Sequence, residues 1–245
     1  MALGWTHFER VYDGGEETVR HVLMPAERCD SAHLAIGFAA VVPRGDAPRY
    51  HYIRAMADVP AHRMFILDEH GPHGCWYLGH NRDWTVGRSI ERLIAETTES
   101  LRIPSANVTA FGSSKGGWAA LYFAARAGIG RVIAGEPQTR LGDHLFRGDP
   151  DTAEWIAGGR SEADRAFLDG ILDEAWAEAA DLPEVTLMVG TGIYRERHID
   201  PFLQVSRERG VGCDLQVRDF EAHDDLRFHF PDFLSESMLA VARGA

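Results

Sequence analysis

Basic residues are scarce in this chain. Lysine and arginine together number 25, against 37 aspartates and glutamates, so the formal net charge is −12. Nucleic acid and anionic membrane both call for a basic surface, and this balance argues against either as a partner. Long apolar runs are missing as well. No stretch approaches the roughly 18 apolar residues of a membrane span, so no membrane insertion is expected. Residues 1–20 hold no apolar segment behind a basic one, so no signal peptide is expected.

Cysteine is rare. Cys29, Cys75 and Cys213 are odd in number and lack metal-like spacing, which implies no disulfide framework and a reducing compartment. The expected location is cytoplasmic. His70, His73 and Cys75 make a lone cluster without a partner cluster, so no metal site is expected. Gly-x-Gly-x-x-Gly and Walker patterns are absent, and no cofactor is expected. There is no internal repeat and no low-complexity linker.

What is present is an ordinary globular composition. The 245 residues are 45% hydrophobic and 25% charged, enough for one well-filled domain spanning 1–245. Strand-like runs at residues 19–23, 33–38, 63–67, 108–111, 131–134, 185–189 and 215–220 alternate with helix-like runs. Several are continuous apolar runs, as strands buried on both faces require. The alternation predicts an α/β fold with a mostly parallel sheet and helices on both faces.

The predicted helices are 89–101 with Ser89 as N-cap, 116–127 ended by Gly128, one after the capping-box-like Ser161–Asp164, 200–209 with Asp200 as N-cap, and about 232–242. About fifty residues separate the strands near Ala134 and Val185, more than one crossover helix needs. A lid or cap insertion at about 137–183 is expected.

The most informative stretch is Val108-Thr109-Ala110-Phe111-Gly112-Ser113-Ser114-Lys115-Gly116-Gly117-Trp118. It reads as strand, sharp turn and helix, with Ser114 at the centre of Gly-x-Ser-x-Gly. That is the nucleophile elbow of the α/β-hydrolase fold. A nucleophile raised above a sheet edge sits on strained backbone, and Gly112 and Gly116 leave it room. The helix that follows aims free N–H groups at the reaction centre. The Lys115 N–H is the expected first oxyanion donor, and Phe38 or Ala39 the expected source of the second. Ser113 falls off the motif's centre and reads as structural.

A serine hydroxyl needs a base. His223 follows the last predicted strand, where a loop would carry it over the sheet edge, and His229 is the fallback. His62, His70, His73 and His80 precede the elbow and do not fit the Ser, acid, His order of the fold. The acid should follow the strand at 185–189. Glu196 is favoured there, because Asp200 has a sufficient explanation as a helix cap. Glu136, after the preceding strand, is the third candidate. Asp68, Trp76 and Tyr77 are candidates for lining the substrate pocket.

Five segments resemble a bacterial group of α/β-hydrolase-like proteins, the capsular polysaccharide biosynthesis proteins and the related acyltransferase of the accessory Sec system. They are Arg49-Tyr50-His51-Tyr52-Ile53-Arg54, Phe65-Ile66-Leu67-Asp68-Glu69-His70-Gly71, Trp76-Tyr77-Leu78-Gly79, the run from Phe111 to Leu121, and Ala134-Gly135-Glu136-Pro137-Gln138. The resemblance spans about 36–145 and is most specific at the elbow. It implies acyl-ester chemistry with Ser114 as nucleophile, and O-acetyl transfer or removal on a carbohydrate. The expected function is a serine-dependent acyl hydrolase or acyltransferase on a small-molecule or carbohydrate substrate. The competing expectation is a non-catalytic scaffold of the same fold, suggested by the missing acid early after the 185–189 strand.

Overall fold

The computed structural model describes residues 4–26 and 31–243. Cys29 lies outside them. Its framework is an eight-stranded sheet in the order β1-β2-β4-β3-β5-β6-β7-β8. The strands are β1 Glu9–Tyr12, β2 Val19–Met24, β3 Leu34–Phe38, β4 His62–Ile66, β5 Val108–Ser113, β6 Arg131–Gly135, β7 Glu184–Val189 and β8 Cys213–Val217. β2 pairs antiparallel with β1 and β4, and every other pairing is parallel. The apolar runs of β3, β4 and β5 are buried along their whole length, because helices cover both faces.

The helices are α1 Thr85–Leu101, α2 Lys115–Ala127, α3 Leu141–Gly148, α4 Pro150–Ala157, α5 Glu162–Glu178, α6 Asp200–Glu208 and α7 Leu226–Ala242. The larger core cluster joins α1, α2 and α5 to one face of the sheet, with Trp118, Phe123 and Trp176 fully buried. A second cluster on the other face packs Phe65 and Phe111 against Phe230 and Leu234 of α7. β5 lies at the centre of the order, so its C-terminal end opens at mid-sheet with helices on either side.

Ser161 and Asp164 form the expected reciprocal capping box at the start of α5. Ser89 is not a cap. α1 starts a turn earlier, and the buried Ser89 Oγ donates to the Thr85 carbonyl while accepting the N–H groups of Glu16 and Glu17 at 3.0 and 2.9 Å. Asp200 is not a cap either. A π-helical turn, Arg195–Ile199, runs directly into α6, so Asp200 is already helical and faces Arg195. α7 begins at Leu226, ahead of the expected start, because Leu226 and Phe230 are both buried and extend its apolar face past Pro231.

The long segment between β6 and β7 holds α3, α4 and α5. α5 is the crossover helix. It lies against α2, and the Trp176 indole donates to the Leu121 carbonyl. α4 docks onto the loop after β4: Asn81 and Arg82 donate their N–H groups to the carbonyls of Trp155 and Ile156, and Trp155 packs on His80.

Candidate active site

β5 ends in a turn that places Ser114 at φ 56° and ψ −124°, a conformation a β-branched or bulky residue would resist. The positions two residues before and after it must be glycine. A Cβ on Gly112 would stand 2.4 Å from the Gly116 carbonyl carbon, and one on Gly116 would stand 2.2 Å from the Phe38 carbonyl oxygen. The Ser114 N–H donates to the Gly135 carbonyl at 2.8 Å, which ties the turn to β6. Ser113, beside it, is hydrogen-bonded to the Tyr52 hydroxyl.

His223 sits on a short 3₁₀ turn after β8, and its Nε2 lies 3.0 Å from Ser114 Oγ. His229 is not at this site; its ring stacks on Phe220. The carboxylate that meets His223 is Glu136, not Glu196. Glu136 Oε2 lies 2.7 Å from His223 Nδ1, and Glu136 Oε1 accepts the Gly190 N–H at 2.9 Å. Both carboxylate oxygens are therefore used, and the side chain is 2% exposed. Glu196 and Asp200 are exposed on the π-helical turn and the first turn of α6, and neither bonds His223. The loop after β7 gives the base something else. The Tyr194 ring stacks on the His223 imidazole with centroids 3.9 Å apart.

That pairing fixes proton positions. His223 Nδ1 donates to the Glu136 carboxylate, so Nε2 is free to accept from Ser114. Gln138, 2% exposed, donates through Nε2 to Ser114 Oγ and to the Tyr194 hydroxyl, the latter at 2.8 Å. The Tyr194 hydroxyl in turn reaches His144 Nδ1 at 3.3 Å. Burial, and then the nearby His223, push the His144 pKa down to about 4, so this ring is neutral and accepts that proton. Gln138, Tyr194 and His144 were not singled out in the sequence. Gln138 stands two residues beyond Glu136, and that adjacency was the available signal.

Lys115 is the only lysine in the chain. Its Nζ is buried and pairs at 2.9 Å with Asp68, whose side chain is fully buried. Asp68 also accepts the Cys75 N–H. Asp68 thus lines a cavity of about 250 Å³ beside the elbow, shared with Ala39, Ala40, Arg49, His73 and Lys115. Trp76 and Tyr77 do not line it. Trp76 is 2% exposed and packs on Trp118, and Tyr77 is fully buried. The Tyr77 hydroxyl accepts the Ala39 N–H at 2.6 Å, so Ala39 is not a free oxyanion donor. Phe38 is held in the ladder opposite Ile66, its ring stacked on Phe123. The next amide, that of Ala40, makes no hydrogen bond among the described residues. His70, His73 and Cys75 do not converge. They bond the Thr18 carbonyl, Asp149 and Asp68 respectively.

The strand order, the elbow after β5 and the histidine after β8 define an α/β-hydrolase fold. No family model matches the chain, and no curated protein matches it in sequence. Solved structures do. A mutant of the capsule O-acetyltransferase of Neisseria meningitidis serogroup A in complex with CoA superimposes with a TM-score of 0.75 at 15% identity, over 96% of this chain and 100% of that one. The Glycosylation Associate Protein (Gap123) complex from Streptococcus agalactiae gives 0.77 at 18% identity, over 95% of this chain and 46% of that one. An S-formylglutathione hydrolase from Agrobacterium tumefaciens gives 0.62 at 13%, over 94% and 93%. At these identities the likeness speaks to the fold.

Proposed function

We propose that the protein is a serine-dependent acyl hydrolase or acyltransferase. The observation that carries this reading is the continuous chain Ser114, His223, Glu136 and Gly190, with every donor matched to an acceptor. His223 takes the Ser114 proton as Oγ attacks an ester or thioester carbonyl. Glu136 holds the imidazole in the needed tautomer and offsets the charge that forms. The Lys115 and Ala40 N–H groups receive the oxyanion. The leaving group takes the proton from His223, and water or an acceptor hydroxyl then discharges the acyl-enzyme.

The cavity beside Lys115 opens next to these amides and would hold part of the substrate. A CoA thioester is the donor we favour and a carbohydrate hydroxyl the acceptor, because a structural neighbour is a capsule O-acetyltransferase in complex with CoA. Gln138 and His144, both from the segment at 137–183, contribute side chains beside this site. The scaffold alternative rested on a missing acid, and Glu136 removes that support.

A fluorophosphonate probe tests the reading. The wild type should be labelled and Ser114→Ala should not. A wild type that stays unlabelled, or equal labelling of the variant, would rule the reading out.

A further inference from the structure

Gln138 touches the nucleophile and has no role in the chemistry described so far. Its backbone is pinned on both sides. Pro137 precedes it, Thr139 donates its hydroxyl to the His198 carbonyl, and Arg140 donates its N–H to His198 Nδ1 at 3.2 Å. The side-chain amide is therefore held against Ser114 Oγ by a rigid segment. Its orientation is also determined. Ser114 has one proton, and that proton goes to His223, whose other nitrogen is committed to Glu136. Ser114 Oγ can then only accept from Gln138. The consequence is visible on the other side of the amide, where Gln138 Oε1 is buried with no hydrogen-bond partner. Turning the amide over would give Oε1 the Tyr194 hydroxyl but would draw the Ser114 proton away from its base. An orphaned buried acceptor of this kind marks a functional constraint.

Building on the acyl-enzyme reading above, we propose that Gln138 is a catalytic residue for discharge of the acyl-enzyme. In the free enzyme the Gln138 N–H already bonds the serine hydroxyl, so it stabilises ground state and attack about equally and contributes little to acylation. In the acyl-enzyme Oγ is an ester oxygen that shares its lone pair with the carbonyl. A donor aimed at Oγ withdraws that pair and makes the carbonyl more electrophilic. Water or an acceptor hydroxyl then attacks, its proton passing to His223 Nε2 as the new C–O bond forms. The C–Oγ bond breaks, its electron pair stays on Oγ beside the Gln138 N–H, and His223 returns the proton to Oγ. The Tyr194 hydroxyl positions the amide by accepting its second N–H.

The test separates the two half-reactions. Wild type and Gln138→Met are mixed with p-nitrophenyl acetate, following p-nitrophenolate release and the intact mass of the protein. The variant should release about one equivalent in a burst, accumulate the acetyl-enzyme and turn over roughly 10- to 100-fold more slowly, the scale of one lost hydrogen bond to an oxygen that gains charge. Its rate of fluorophosphonate labelling should stay within about threefold of wild type, since that reaction stops at the serine adduct. Gln138→Leu, of similar bulk and without the N–H donor, should behave alike if the methionine variant folds poorly. Turnover at the wild-type rate with no acetyl-enzyme overturns the proposal. So does a parallel fall in labelling and turnover, which would make Gln138 structural. A wild type that no fluorophosphonate labels removes the acyl-enzyme itself and the proposal with it.

Discussion

Glu136 occupies a left-handed backbone position at φ 37°, unusual for a residue with a side chain. Its N–H is held by the Met188 carbonyl at 2.9 Å, and its carboxylate is held by Gly190 and His223. Glu136→Gln should leave the fold intact and reduce kcat by roughly 10²- to 10⁴-fold, because an amide at this place favours the wrong imidazole tautomer. Glu196→Gln should leave ester hydrolysis unchanged, and a comparison of the two variants on one activated ester decides between them. The sequence made Ser114 plain and His223 nearly so, through position. It could not single out the acid. Glu136 and Glu196 both follow a strand and both lie near the sheet edge. Only the path of the loop after β8, and the Gly190 amide waiting for a carboxylate, distinguish them. The ion pair of Lys115 and Asp68 was equally hidden, because each residue has an ordinary surface explanation until burial is known. Asp68→Asn should lower the unfolding free energy by about 3–5 kcal/mol, since it leaves a buried ammonium uncompensated. Urea unfolding followed by tryptophan fluorescence reads that change.

At the scale of the element, the elbow is a packing solution as much as a catalytic one. α2 approaches the end of β3 so closely that the Gly116 Cα lies against the Phe38 carbonyl. Gly116→Ala would force that backbone apart, and either β3 or the Lys115 N–H would lose its position. The expected outcome is a soluble, destabilised protein that fluorophosphonate labels at least tenfold more slowly, on the scale of a lost oxyanion donor. Labelling at the wild-type rate would show that the contact has slack. Elements of this kind were legible because their signals are redundant: strand, glycine, serine, glycine, helix. Single-residue cap signals were less dependable. Ser89 and Asp200 both precede good helical patterns, yet each is inside its helix, because a serine hydroxyl can serve a distant loop and a π-turn can feed a helix without a break. The strand β1 left no pattern to read, being a short and largely exposed edge.

For the molecule as a whole, the alternation of buried strands and amphipathic helices was enough to specify an α/β sandwich, since parallel strands need a helix on each face. Burial at the whole-molecule scale has a second consequence, in titration. His51, His144 and His198 come from three different segments, and each is held neutral chiefly by burial. Their pKa values fall to about 4, about 4 and about 3, with further depression by Arg49 at His51, by His223 at His144 and by His144 at His198. In the unfolded chain each titrates near 6.5. Below that pH the unfolded state takes up protons that the folded state declines, so stability falls as pH drops from about 6.5 to about 4. Each histidine contributes a slope of about 1.4 kcal/mol per pH unit, and the three together about 4. From pH 6.5 to 4 the loss is on the order of 10 kcal/mol, comparable to the whole stability of a typical domain, about 5–15 kcal/mol. Urea midpoints measured from pH 7.5 down to 4.5 should fall steeply below 6.5, well above the range where carboxylates protonate. His198→Gln should make that fall shallower by about one proton's worth. A midpoint that holds level from pH 7 to 5 would mean that these three histidines are not the neutral, desolvated groups their burial implies.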